Sequence, residues 1–121
     1  MKRDMDLVRR LLLLVEEQGN DRNDWIEHVS VEGYTEKQVN HHVWLLGDGG
    51  YIEFIDLSAD DTCYRPRCLT WKGSEFIETV RDRDIWERTK SIAKKVGASS
   101  PDVLMQIATK LIQDKLLTLL P

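Results

Sequence analysis

The chain has few cysteines, few prolines and no long apolar run. It contains two cysteines and three prolines in 121 residues. No stretch of about 18 apolar residues is free of charge, so we expect no membrane-spanning helix. The first residues, Met-Lys-Arg-Asp, do not begin a signal peptide. Together these absences indicate reduced thiols and a cytoplasmic location.

Motifs that carry catalysis are also missing. The sequence contains no glycine-rich phosphate loop, no nucleophile elbow and no His-Glu-x-x-His pair. Its carboxylates are spread along the chain as in any acidic domain. We therefore expect no enzymatic activity, no cofactor and no small-molecule substrate.

The histidines and cysteines do not form a metal-binding pattern. Zinc needs about four converging ligands, usually from closely spaced pairs. Cys63 and Cys68 lie five positions apart on a predicted strand, so they face opposite sides, which also argues against a disulfide. His41 and His42 are adjacent on a predicted helix and diverge by about 100°. A half-buried His42 beside an exposed His41 is the simpler interpretation.

Positive charge is scarce in the first part of the chain. The net charge is −4. Residues 1–72 hold nine Lys and Arg against fourteen Asp and Glu, a net charge of −5, whereas residues 73–121 have a net charge of +1. Nonspecific affinity for DNA comes mainly from basic side chains that neutralise phosphates. The acidic first part therefore argues against tight, nonspecific DNA binding.

The chain does contain enough apolar surface for a folded core. Apolar residues make up 41% of it and include four tryptophans. The first helix is predicted over residues 4–18, with Asp4 as N-cap and Gly19-Asn20 as its stop. The apolar positions of this first helix cover more of its surface than one packing partner needs. A polar loop follows over 20–24.

A second helix is the most informative element. Thr35 and Gln38 form a capping-box pattern at the start of a helix over 35–48. Glycines at 47, 49 and 50 end it. Before this helix, the alternation of Ile26 and His28 with their neighbours predicts a short strand over 25–30.

A β-hairpin is predicted after the second helix. Residues 51–57 form one strand and residues 58–62 the turn. Residues 63–70 return as the partner strand, interrupted at Pro66, which has no N–H for the ladder. A helix followed by such a hairpin is typical of a winged helix.

Three further helices are predicted after the hairpin, at 70–81, 82–95 and 101–120. Ser100-Pro101 gives the favoured cap-then-proline order for the last one. The predicted fold class is therefore mostly α with a small β-hairpin (α+β), a winged helix-turn-helix-like domain with a C-terminal helical extension. We predict a winged-helix-like domain over 1–80 and C-terminal helices over 81–121 that pack on it.

Several motifs occur together in a fixed order. The opening Met-Lys-Arg-Asp-Met-Asp-Leu-Val-Arg is followed by His42-Val43-x-Leu-Leu, Gly50-Tyr-Ile, Leu69-Thr-Trp-x-Gly-x-Glu-Phe-Ile, and then Trp86 and Lys90. This order resembles an uncharacterised bacterial and prophage family with winged-helix-like character, over roughly residues 1–90. The resemblance implies a fold and a phage or mobile-element setting, and no established reaction. That family often has a histidine where this chain has Ser74, so no role of that histidine is carried over.

The outward face of the second helix and the hairpin supply candidate DNA contacts. Asn and Gln can pair with adenine, and Lys can contact guanine or phosphate. The candidates for DNA contact are Lys37, Gln38, Asn40, His41, Arg65 and Arg67. Asp60 and Asp61 at the predicted turn would repel a phosphate backbone, and the two arginines could instead pair with Glu53 and Asp56.

The first and last helices carry more apolar side chains than one small core requires. Each leucine left in water forgoes about 1.5–3 kcal/mol. We therefore expect a homodimer through these helices, although the two could also cover each other within one chain. The predicted interface residues are Leu7, Leu14, Leu104, Ile107, Leu111 and Leu116.

The preferred interpretation is a small winged-helix DNA-binding protein, a phage or mobile-element transcriptional regulator that binds as a dimer. The alternative is a non-catalytic protein–protein interaction module whose acidic surface meets a basic protein partner. The charge of residues 1–72 supports the alternative.

Overall fold

The computed structural model describes residues 1–19 and 23–121. Residues 20–22 of the predicted polar loop, including the predicted helix stop at Asn20, lie outside the described residues. The elements are α1 Met5–Gln18, α2 Glu36–Asp48, β1 Ile52–Asp56, β2 Tyr64–Leu69, α3 Trp71–Val80, α4 Arg83–Val96 and α5 Pro101–Leu119. The fold is mostly α with a small antiparallel β-hairpin, as predicted. The chain divides into two compact units, residues 1–77 and 78–121.

The helices begin at the capping residues that the sequence predicts. Asp4 accepts the backbone N–H groups of Asp6 and Leu7, at 3.0 and 3.1 Å. Thr35 and Gln38 form a complete capping box, because Thr35 Oγ1 accepts the Gln38 N–H while Gln38 Oε1 accepts the Thr35 N–H. Each bond satisfies a backbone donor that the first turn of a helix leaves unpaired.

The helices of the second unit have equally clear ends. Asp82 caps α4 by accepting the Ile85 N–H at 2.9 Å. Gly97 ends α4 in the left-handed region, with φ 80°, which glycine adopts without a steric penalty. Ser100 caps α5 and Pro101 is its first residue. The predicted boundaries of both helices are therefore confirmed to within one residue.

In the first unit, α1 packs against both α2 and β2. Leu7, Leu11 and Leu12 are completely buried, and α2 adds Val39, Val43 and Leu46 to the same core. Contacts on two sides explain why apolar residues cover so much of α1. A second subunit is not needed to bury these leucines.

The predicted strand over 25–30 is wrong. These residues have no regular secondary structure, and among them Ile26 alone donates its backbone N–H to a strand residue, the Pro66 oxygen, at 2.8 Å. Pro66 has no N–H to return, so the two backbones cannot form a ladder at this point. The segment still lies along β2, but as irregular chain.

The hairpin contains a bulge next to Pro66. Glu53 pairs with Cys68 and Phe54 pairs with Pro66, so Arg67 is the extra residue on β2. A bulge of this kind turns the local side chains and increases the twist of the strand. The interruption predicted at Pro66 is thus a change of register and not the end of the strand.

The second unit consists mainly of α4 packed against α5. Trp86 in α4 is 1% exposed, and Leu104 and Ala108 are the buried residues of α5. The last turns of α5 expose their apolar side chains. No helix in the described part of the chain has both the length and the apolar character needed to cross a bilayer.

Candidate functional site

A groove lies beside the N-terminal half of α2, with a volume of about 970 Å³. We call it the α2–hairpin groove. It is lined by residues 27–31, by residues 34–37 with Val39, Asn40 and Val43, and by residues 61–65. Its three walls are therefore an irregular segment, a helix and the beginning of β2.

The base of the groove is apolar and its rim is charged. Val31, Val39 and Val43 line it and are 6%, 3% and 1% exposed, so they lie at its base. The charged lining residues are three carboxylates and two cations, Glu27, Glu36, Asp61, Lys37 and Arg65. With His28 neutral, the formal charge of the groove is −1. This combination can hold an apolar side chain beside a positively charged one.

Asn40 joins α2 to the hairpin. Its Oδ1 accepts the Tyr64 backbone N–H at 2.7 Å, and its Nδ2 donates to the Thr62 carbonyl at 3.3 Å. The amide thus replaces the strand partner that Tyr64 lacks on this edge of β2. Both polar ends of the side chain are therefore used within the chain.

We expect Asn40→Ala to lower the free energy of unfolding by about 1–3 kcal/mol, because it leaves the part-buried Tyr64 N–H without its acceptor. Asn40→Asp should cost less, since it keeps an acceptor for the Tyr64 N–H. Urea denaturation gives the free energies, and amide hydrogen exchange at Tyr64 reports the local bond. Equal losses in both variants would contradict the proposed role of the Tyr64 bond.

Tyr34 forms part of the groove wall and is tied to α1. Its hydroxyl hydrogen bonds to the Asp4 carboxylate, and burial together with that carboxylate raises the pKa of Tyr34. The Arg10 guanidinium lies 5.9 Å from the centre of the Tyr34 ring and donates to the Glu32 carbonyl at 2.8 Å. The turn before α2 is thereby fixed to the first helix.

Three of the six predicted DNA-contact residues, Lys37, Asn40 and Arg65, line the α2–hairpin groove, and the other three do not. Lys37 is exposed at the groove rim, and Arg65 is half-buried with its guanidinium donating to the Tyr64 carbonyl at 3.3 Å. Gln38 uses its side-chain oxygen in the capping box. Arg67 is half-buried on the bulge, with its Nε atom buried. Lys37 is therefore the candidate whose charged end is most accessible.

His41 and Trp44 form a small aromatic surface on α2. Their rings stack at a centroid distance of 6.2 Å and an angle of 24°. Partial burial, followed by the neighbouring His42 and the N-terminal amine, lowers the pKa of His41. His41 is half-buried rather than exposed as expected, and His42 is buried rather than half-buried.

Sequence reasoning missed most of the groove. Residues 27–30 were expected to belong to a strand over 25–30, and Tyr34 carried no functional signal. Asp61 was noted only as a charge that opposes DNA. No sequence spacing links these residues, because they come together only when the hairpin docks on α2.

Comparison with known proteins gives the family. A family model described as Hypothetical protein (DUF2513) matches residues 2–99. The chain belongs to the DUF2513 family. An uncharacterised protein of Haemophilus influenzae (strain ATCC 51907 / DSM 11121 / KW20 / Rd) is 32% identical over 118 residues, which are 96% of this chain and 99% of the relative. No solved structure matches.

Membership of DUF2513 confirms the predicted resemblance to an uncharacterised family. The family match includes the whole α2–hairpin groove, since its lining ends at Arg65. The match ends before α5 begins at Pro101. The phage or mobile-element setting stays a prediction.

The residues that we predicted to form a dimer interface in this chain are only partly accessible. Leu7 and Leu104 are 0% and 1% exposed, so neither can offer its side chain to a second subunit. Leu14, Ile107 and Leu111 are half-buried, while Leu116 is 51% exposed. Within the predicted interface, the end of α5 is therefore the most accessible part.

The described cysteines and histidines do not form a metal-binding group. Cys63 and Cys68 are half-buried, and neither forms a disulfide. Residues 1–19 and 23–121 contain no group of three or more His, Cys, Asp or Glu side chains that could hold a metal ion. The α2–hairpin groove is thus the candidate site with the most complete geometry.

Proposed function

We propose that this chain is a non-catalytic protein-interaction module that holds an extended segment of a partner protein in the α2–hairpin groove. The observation that carries the proposal is the groove itself, with three valines at its base and three carboxylates around it. Ligand pockets combine apolar walls with a few polar groups that fix orientation, and grooves that bind extended peptides use such pockets for alternate side chains. The rim also holds Lys37 and Arg65, so its formal charge is −1, and this small excess of negative charge favours a basic partner.

The shape of the groove favours an extended segment. The segment 27–31 and the start of β2 face the same space, and both are backbone without helical hydrogen bonds. An extended chain between two such walls can direct alternate side chains to the base and to the rim. Valine-lined volume suits a small or medium apolar side chain, while Glu36 and Asp61 suit a neighbouring Lys or Arg.

The side chains of α2 also favour a protein partner over DNA. A recognition helix reads bases through side chains whose donors and acceptors point into the major groove. Asn40 uses both ends of its amide on the hairpin, and Gln38 uses its oxygen on the helix cap. Two of the expected base-reading residues thus have their acceptors occupied.

A second proposal is the DNA-binding regulator, a dimer with winged-helix character. It is favoured by the order of elements, because α2 is followed directly by the β1–β2 hairpin as in a winged helix. Lys37 would then contact phosphate or guanine. Against it stands the charge of −5 in residues 1–72.

The test begins with a displayed library of random twelve-residue peptides, selected on the full chain. We expect selected peptides to carry Lys or Arg beside apolar residues. Affinities of the synthesised peptides are then measured by fluorescence anisotropy. The double variant Glu36→Gln with Asp61→Asn should weaken binding about three- to thirtyfold, because each partly exposed ion pair contributes a fraction of a kcal/mol to about 1 kcal/mol.

The matched control is Asp48→Asn with Asp60→Asn. It removes the same charge from the same helix and the same turn, but neither residue lines the groove. We expect this variant to bind like the original chain. Equal weakening in both double variants, or a library that yields no peptide, would overturn the groove proposal.

A mixed-sequence DNA duplex at low salt is the second arm of the experiment. Binding that weakens steeply as salt rises, and a shallower salt dependence in Lys37→Ala, would instead support the regulator. The interaction module predicts no such binding. The two arms therefore separate the two proposals with one protein preparation.

A further inference from the structure

A buried histidine connects the start of α1 to α2. His42 is 1% exposed. Its Nε2 accepts the Asp4 backbone N–H at 2.8 Å, and its Nδ1 lies 2.8 Å from the Gln38 carbonyl oxygen. Both ring nitrogens are therefore used, one by the backbone of Asp4, the N-cap of α1, and one by the backbone of Gln38 in α2.

These two partners fix the protonation state of the ring. A carbonyl oxygen can only accept, so Nδ1 must carry the hydrogen. A backbone N–H can only donate, so Nε2 must present its lone pair. The bond pattern requires the neutral imidazole with its hydrogen on Nδ1. A proton added at Nε2 would point at the Asp4 N–H and break that bond.

Asp4 connects this histidine to the groove wall. Its carboxylate caps α1 through the N–H groups of Asp6 and Leu7, and it hydrogen bonds to the Tyr34 hydroxyl. Tyr34 lines the groove. Movement of Asp4 therefore disturbs the first turn of α1 and the Tyr34 wall together.

We propose that His42 is a pH-sensitive clasp, in which protonation of Nε2 releases the Asp4 N–H and loosens residues 1–4 together with the Tyr34 wall. The clasp is closed while the ring is neutral, as its two hydrogen bonds require, and it opens when Nε2 gains a proton. It does not depend on what the groove binds.

Charged and titratable groups near the clasp act on its two neighbours, Tyr34 and His41. The N-terminal segment and α1 supply the N-terminal amine, Asp4, Asp6 and Arg10, the turn before α2 supplies Tyr34, and α2 supplies His41. The His41 and His42 rings lie edge to face at 5.9 Å. Because several of these groups affect global stability, the test must report on the His42 ring and the Asp4 amide individually.

The experiment uses the full chain labelled with nitrogen-15 and follows it by NMR from pH 8 to pH 5. The His42 ring nitrogens should change from the neutral pattern to the imidazolium pattern. Over the same interval the protection factor of the Asp4 amide against hydrogen exchange should fall about tenfold, as expected for the loss of one buried hydrogen bond. The Tyr34 signals should shift in parallel.

Two glutamine variants provide matched controls. His42→Gln keeps an acceptor for the Asp4 N–H but does not titrate, so its Asp4 protection should stay constant with pH. His41→Gln makes the same change on the adjacent histidine and should retain the fall.

Three results would overturn the clasp. His42 could stay neutral down to pH 5, Asp4 protection could stay constant while the His42 ring titrates, or His42→Gln could lose protection as the original chain does. The first two are read on the unmodified chain, so they decide the matter even if His42→Gln does not fold. A failure of peptide binding would leave these NMR results unchanged.

Discussion

Trp86→Ala should lower the free energy of unfolding by about 3–5 kcal/mol, the range for removing a large aromatic side chain from a core. Trp86 is 1% exposed and is the largest fully buried side chain among the described residues. Its removal leaves a cavity that neighbouring side chains refill only in part. Urea denaturation followed by far-ultraviolet circular dichroism measures the loss without relying on tryptophan fluorescence.

Trp71→Ala is the matched control for Trp86→Ala. Trp71 is 82% exposed at the start of α3, so its removal creates no cavity. We expect a change within about 0.5 kcal/mol, as for ordinary surface substitutions. A similar loss in both variants would show that Trp86 is not the core residue that its burial indicates.

Gly73→Ala should destabilise the chain by about 3 kcal/mol, the upper part of the usual range for overpacking. A methyl group at Gly73 would overlap the carbonyl oxygen of Tyr51, which is backbone and cannot rotate away. That carbonyl is held in place because it accepts the Thr70 N–H at 3.1 Å. In an exposed helix the same change would instead stabilise by about 1 kcal/mol, so the sign of the effect is diagnostic.

Ser74→Ala is the control on the same helix. Ser74 is half-buried, and its substitution adds no atoms. We expect a small effect, within about 0.5 kcal/mol. Thermal or urea unfolding of both variants gives the comparison, and a stabilised Gly73→Ala protein would show that α3 can move away from Tyr51.

The helix boundaries could be predicted because their causes are local. Asp4, Thr35 with Gln38, Asp82 and Ser100 each satisfy donors within three residues of themselves. Local sequence could not decide in the same way whether residues 25–30 form a strand. Whether that segment forms a ladder depends on Pro66, which is distant in sequence and offers a carbonyl but no N–H.

The candidate site was predicted only in part. Lys37 and Arg65 were named as functional candidates, and both line the groove. The same sequence reasoning assigned Asn40 to base recognition, whereas its amide fastens the hairpin to α2. An amide on the outward face of a helix looks the same in sequence whether it meets solvent, DNA or the chain itself.

The hydrophobic pattern also predicted more interface residues than the folded chain leaves accessible. The predicted interface included Leu7 and Leu104, yet each is buried within the single chain. A broad apolar arc on a helix is explained equally well by two neighbours in one chain or by one neighbour in another chain. Exposure in the folded chain distinguishes the two, and it leaves the end of α5 as the open apolar surface, with Leu117 and Leu119 at 70% and 73%.

The sequence by itself determined the helices, their caps, the hairpin, the family and the acidic charge of the first part of the chain. These features depend on residues that are close together or on simple counts, so no tertiary contact was needed to infer them. Tertiary structure alone decided the groove, the role of Asn40 and the burial of His42. Each of these joins residues that are 20 or more positions apart, and such a pairing is fixed only when the packed core selects one arrangement of the elements.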